Sequence, residues 1–143
     1  MTSDTWYATP SDAEEAFYRA FERADLEDMM KVWADDDAII CIHPMGQRLE
    51  GRQAVWQSWR QLFAGGARMR FEVSEIARTV NGDLAVHCVY EKISHGPRLA
   101  ERSLVLATNV YKETERGWRL VLHHASPAGA MPSGSQEPDT TLH

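Results

Sequence analysis

His43 stands before Pro44 at the end of a β-rich run, Ala38-Ile39-Ile40-Cys41-Ile42. An imidazole there, with an ordinary pKa of about 6.5, can give or take a proton at neutral pH. A strand-end histidine that only bonds a backbone carbonyl is the competing reading. His123 and His124 are adjacent in the last apolar segment, so a strand sends one to each face and only one can enter an interior. A three-residue turn at Glu115 to Gly117 would set His123 opposite Asn109, so the sequence leaves the register open. His87 and Glu91 share strand parity, and with Asn109 and a distal histidine they could form a proton relay or a weak metal site. No H-E-x-x-H, H-x-H or Cys/His set accompanies them, so no metal and no cofactor is expected. Trp33, Trp56, Trp59 and Tyr111 supply rings that either stack on a flat ligand or fill the core. The triplet Asp35-Asp36-Asp37 reads as a solvated helix end rather than a cation site. The absence of G-x-S-x-G, P-loop and dinucleotide-type glycine patterns removes the common hydrolase, nucleotide and NAD chemistries. Cofactor-free acid–base chemistry or plain binding remains.

A chain of 143 residues, 43% of them apolar, is one domain able to bury a sufficient core without metal or disulfides. Fifteen Lys and Arg against 21 Asp and Glu leave a net charge of −6, which disfavours nucleic acid and anionic membranes as partners. Cys41 and Cys88 each sit inside apolar runs and read as buried reduced thiols. With no signal-like or membrane-spanning stretch, a cytoplasmic location is the expectation.

The elements that must position these residues are legible as patterns. Ser11-Asp12-Ala13-Glu14 has the capping-box form, and Ala13, Ala16, Phe17, Ala20, Phe21 and Ala24 follow as one helical stripe. Asp25 caps a second helix through Leu26, Met29, Met30 and Trp33. A short strand at 38–42 and a loop from Gly46 to Gly51 precede a third helix, which Gly65-Gly66 ends. The period then becomes two: Met69, Phe71 and Val73 alternate with polar residues, Asn81-Gly82 marks a hairpin, and strands follow at about 84–93, 102–113 and 118–125. Helices first and antiparallel strands after them predict an α+β fold, its curved sheet wrapped around the helices. Leu104, Leu106 and Val110 alternate with Val105, Ala107 and Tyr111, so both sheet faces are apolar and the outer one calls for a homodimer.

Several strings resemble the nuclear-transport-factor-two-like superfamily, and within it the SnoaL-like and ketosteroid-isomerase-like small proteins. They are Ala24-Asp25-Leu26 with Trp33-Ala34-Asp35-Asp36, His43-Pro44-Met45-Gly46 with Gly51, and Gly117-Trp118-Arg119-Leu120-Val121-Leu122-His123-His124-Ala125-Ser126. The last is also similar to the end of the association domain of calcium/calmodulin-dependent protein kinase. The resemblance covers residues 11–127 and leaves 1–10 as an extension and 128–143 as a tail of disordered composition. It implies a cone-shaped, cystatin-like α+β barrel, dimeric through its outer sheet face, with a pocket between helices and sheet. Ketosteroid isomerases carry an Asp base directly before Pro-Val-Gly; His43 holds that position here. Their first-helix Tyr corresponds to Phe17, with Tyr18 about 100° away, so steroid isomerisation is not expected. Where the kinase domain's cavity has arginines, this chain has Glu91 and Asn109, an inversion that suits a neutral or cationic ligand. The resemblance favours His124, with Ser126, as the inward residue of the last strand. The expectation is therefore a small-molecule pocket, catalytic through His43, His124 and Glu91 if it is an isomerase, dehydratase or cyclase. Asn109, Tyr111, Trp33, Trp59, His123, His87 and Tyr18 would line it. The alternative is a non-catalytic binding or assembly module.

Overall fold

Thr9 and Pro10 start the first helix. In the computed structural model, which describes residues 6–66 and 68–129, α1 runs Pro10–Arg23 and the Thr9 hydroxyl accepts from the Asp12 amide. Proline at N1 needs no amide partner and has its φ preset for a helix. The capping box expected at Ser11 and Glu14 therefore does not form, and Glu14 is released to turn inward, where it is buried. Ala24 closes the helix in the left-handed region. Asp25 then caps α2 (Leu26–Val32) through its own carboxylate, as its sequence predicts.

The strands follow the expected order, with one addition. β1 (Ile40–Ile42) pairs antiparallel with β2 (Arg48–Glu50), a strand in the segment expected to be loop. After α3 (Arg52–Ala64) come β3 (Arg70–Asn81), β4 (Leu84–His95), β5 (Glu101–Thr114) and β6 (Gly117–Pro127). Asn81 pairs with Leu84 across Gly82 and Asp83, and Gly82 takes the positive φ that such a tight turn needs. The sheet order is β2-β1-β6-β5-β4-β3, a meander extended by a parallel pairing of β1 with β6. This is the expected α+β, cystatin-like architecture, but the barrel is not closed: β2 and β3 remain as separate edges.

The three helices pack in the concave side of the sheet. Phe17, Met29, Trp33, Val55 and Trp59 are buried there against Ala85, Val89, Ala107, Tyr111 and Leu120. Two bulges adjust what faces them. An extra residue, Ile76, lies between Glu75 and Ala77 of β3, and a second, Val121, interrupts the β5–β6 ladder. Among the described residues no helix is long and apolar enough to cross a membrane. The tail beyond Gly129, where disorder is expected from composition, lies outside the described residues.

Candidate functional site

Glu14 and Tyr18 are four residues apart on α1, so they project from the same face toward the sheet. Across from them, inward positions of β4 and β5 carry His87, Glu91, Asn109 and Tyr111, all buried. The Tyr18 hydroxyl donates to Glu91 Oε2 at 2.6 Å. Asn109 Nδ2 donates to Tyr18 Oη at 3.0 Å and to Glu14 Oε2 at 3.3 Å. Tyr111 Oη donates to the same Glu14 oxygen at 3.2 Å. Because the amide nitrogen of Asn109 is committed to these acceptors, its Oδ1 faces His123 Nδ1 at 2.6 Å, which assigns the ring proton to Nδ1.

The Val121 bulge decides which histidine joins this network. Leu120 pairs with Tyr111, Val121 is left over, and Leu122 and His123 pair with Val110 and Asn109. One absorbed residue reverses the alternation beyond it. His123 is buried and His124, with Ser126, is exposed on the outer face. The inward placement expected of His124 is thus corrected to His123.

Burial governs the protonation states. It pushes the Glu91 carboxyl up to about 7, with Glu14 adding to the rise and the Tyr18 hydrogen bond opposing it. It lowers His123 to about 3, so that ring is neutral. Tyr18 and Tyr111 are held well above the usual phenol range by burial and by the neighbouring carboxylates. Of Glu91, His123, Tyr18 and Tyr111, Glu91 alone is set near neutrality.

His43 lies at the other end of His123. Its Nε2 is 3.1 Å from Ser58 Oγ, its ring packs edge-on against Trp59 at 4.7 Å, and the two histidine rings are 6.5 Å apart. Half-buried as it is, its pKa is lowered by desolvation. Around Trp59 the rings of Phe17 and Phe21 pack edge to face, at centroid separations of 4.8–6.0 Å. Trp59 is fully buried core and so is Trp33, whose backbone bridges to Leu120. A cleft of about 580 Å³ runs between α1 and β3, lined among others by Glu14, Tyr18, Phe71, Val73, Glu75 and Arg78. Glu14 and Tyr18 therefore connect the cleft to the buried network. Of the expected site residues, Tyr18, His87, Glu91, Asn109, Tyr111 and His123 come together, whereas His43 adjoins them only through His123. Sequence reading missed Glu14 and Glu75. The i, i+4 spacing of Glu14 and Tyr18 beside the apolar stripe is the signal that finds the first.

This cone of helices and sheet, with a polar network at its centre, matches known proteins over most of its length. The SnoaL-like domain family matches residues 11–130. The chain belongs to the SnoaL-like family. A solved structure from Thiobacillus denitrificans, named as a proposed calcium/calmodulin-dependent protein kinase type II association domain, is 45% identical. The similarity covers 87% of this chain and 99% of that one, with a TM-score of 0.82. A proposed dehydratase of the NTF2-like family from Streptomyces avermitilis is 33% identical over 82% of this chain and 93% of its own, with a TM-score of 0.74. A ketosteroid isomerase-like protein from Erwinia carotovora atroseptica shares the fold at a TM-score of 0.71, covering 83% and 93% of the two chains at 13% identity. The F-box protein SKIP8 of Arabidopsis thaliana is 28% identical over 112 residues, which are 77% of this chain. The chain spans about half the length of that relative, 46% of it being covered.

Proposed function

We propose that this SnoaL-like protein binds a small neutral or cationic organic molecule in the α1–β3 cleft and transfers a proton without a cofactor, as in isomerisation, dehydration or cyclisation. The observation that carries this reading is the pair formed by Tyr18, at the cleft wall, and the buried Glu91 carboxyl behind it, 2.6 Å away. A carboxyl raised to about 7 is matched to taking and returning protons at neutral pH. Tyr18 is the group that touches the ligand, Glu91 is the proton reservoir behind it, and Asn109 and His123 hold both in place. The lining carries Glu14, Glu15, Glu22 and Glu75 against Arg19 and Arg78, an acidic excess that disfavours anions. His43, with its Nε2 on Ser58 and its ring on Trp59, stands outside this cleft.

The test uses protein purified natively and extracted under denaturing conditions for mass spectrometry. A small neutral or cationic molecule is expected with the parent chain. It is expected to disappear in Ser11→Trp, whose new ring fills the cleft from a half-buried site on its wall. A molecule retained by that variant would place binding elsewhere.

A second reading, homo-oligomeric assembly, is favoured by one feature. On the outer sheet face Val86 and Tyr90 are 41% and 37% exposed beside the half-buried Leu106, Val110 and Leu122, an apolar strip crossed by the Cys88–Thr108–His124 row. We expect a homodimer through this strip, compatible with cleft binding because the cleft opens on the opposite side of the sheet. Light scattering should give twice the chain mass of 16.2 kDa, and Tyr90→Glu should halve it. A monomer for the parent chain in dilute solution would sink the dimer. The net charge of −6 and the two free cysteines fit a protein of the reducing cytoplasm that engages neither nucleic acid nor membrane.

A further inference from the structure

His87 has no exposed surface, and neither of its ring nitrogens has a hydrogen-bond partner. A buried, unsatisfied imidazole is costly and rare, and calls for a partner. Its Nδ1 faces two carboxylate oxygens, Glu14 Oε2 at 3.1 Å and Glu75 Oε2 at 3.8 Å, the first too far off line to accept a hydrogen bond. One ligand atom from each of the three residues falls within 4.8 Å of the others. They come from α1, β3 and β4, and both carboxylates open onto the cleft.

We propose that Glu14, Glu75 and His87 form a binding site for a divalent first-row transition-metal cation in the wall of the cleft. The separations suit one. Two ligand atoms each about 2.1 Å from a metal lie roughly 3.0–3.4 Å apart at tetrahedral to octahedral angles, so small side-chain rotations close the set. Two carboxylates and one neutral imidazole suit Zn²⁺, Mn²⁺ or Fe²⁺. The cleft leaves room for water or a ligand to complete the coordination. The support that ligating carboxylates need is already built: Tyr111 Oη and Asn109 Nδ2 both donate to Glu14 Oε2 and fix its direction. The Ile76 bulge supplies the rest. By absorbing one residue it brings Arg78 onto the concave face that Glu75 already shares with Phe71 and Val73, where strict alternation would separate the two. Without metal, the Arg78 guanidinium sits 3.6 Å from Glu75 and also bonds Ser11, offsetting part of the two carboxylate charges. It is 47% exposed and can swing into solvent when a cation enters. The site needs no organic ligand, so it stands or falls separately from the proton-transfer reading.

Calorimetric titration of the full chain, stripped with chelator, with Zn²⁺ alone tests this, with Co²⁺ absorption as a report on coordination. One ion per chain is expected, with affinity reduced at least about tenfold in Glu75→Gln and in His87→Asn. His124→Asn, on the opposite face of the sheet, is expected to leave affinity unchanged. Glu75 is partly exposed, so its variant keeps the test decisive even if His87→Asn fails to fold. Absence of saturable binding would overturn the proposal, as would binding indifferent to Glu75→Gln or abolished by His124→Asn.

Discussion

Glu91→Gln is expected to be more stable than the parent by about 3 kcal/mol at pH 8 and nearly equal to it at pH 4. The carboxyl is buried and its pKa in the folded chain is about 7, against 4.5 in an exposed peptide. Between those values the native state holds a proton that the unfolded chain has released. The contribution is therefore fully present below pH 4.5 and is lost as pH rises through 7. Glutamine keeps an oxygen to accept from Tyr18 and cannot ionise, so it escapes that loss. His123 acts in the opposite sense. Its folded pKa of about 3 means that the unfolded chain takes up a proton first, so its contribution is full above pH 6.5 and falls as pH drops toward 3. In the parent chain the two effects offset each other between pH 4.5 and 6.5, giving a flat profile. In Glu91→Gln the histidine slope stands alone, about 1.4 kcal/mol per pH unit at most. Urea unfolding at pH 4, 5.5 and 8 measures all three points. A variant less stable than the parent at pH 8 would mean that Glu91 is ionised and satisfied in the folded chain.

Trp59→Ala is expected to lose about 3–5 kcal/mol, among the largest effects of any single truncation in a core of this kind. The indole is fully buried and touches Phe17, Phe21, Phe63 and His43 at ring separations of 4.7–5.7 Å. Those neighbours come from different elements and cannot all collapse into the space. Since Nε1 of Trp59 has no hydrogen-bond partner, Trp59→Phe gives up packing but no bond and should cost less than half as much. The void in Trp59→Ala would lie between His43 and His123, whose rings both adjoin Trp59. Added indole should raise the thermal midpoint of Trp59→Ala and leave that of the parent unchanged. Equal shifts in both proteins would indicate that indole binds at another place.

Residues whose roles follow from local period were legible in the sequence. Phe17, Ala20 and Val55 sit on helical stripes, and Glu91 and Asn109 share the parity of buried Val89 and Ala107, so their inward placement needed no three-dimensional information. The misreadings occur where one residue changes the count. Val121 exchanges His124 for His123, Ile76 brings Arg78 inward beside Glu75, and Thr9 displaces Ser11 as the cap and frees Glu14. Bulges answer to curvature of the whole sheet rather than to neighbouring side chains, so a window of ten residues carries no trace of them. The full burial of Trp59 and Trp33 was equally hidden, because their helical positions serve a core or a pocket alike.

The parallel pairing of β1 with β6 joins Ile40 to Leu122, and Asn109 reaches Glu14 across 95 positions of chain. Such separations make loop closure the slow event of folding. During synthesis, therefore, α1 emerges long before its partners: Glu91 of β4 accepts from Tyr18, and Glu14 stays hydrated until Asn109 and Tyr111 of β5 are out. The Glu14 network therefore closes only once β5 is in place, although Glu75, His87 and Glu91 on β3 and β4 emerge before it.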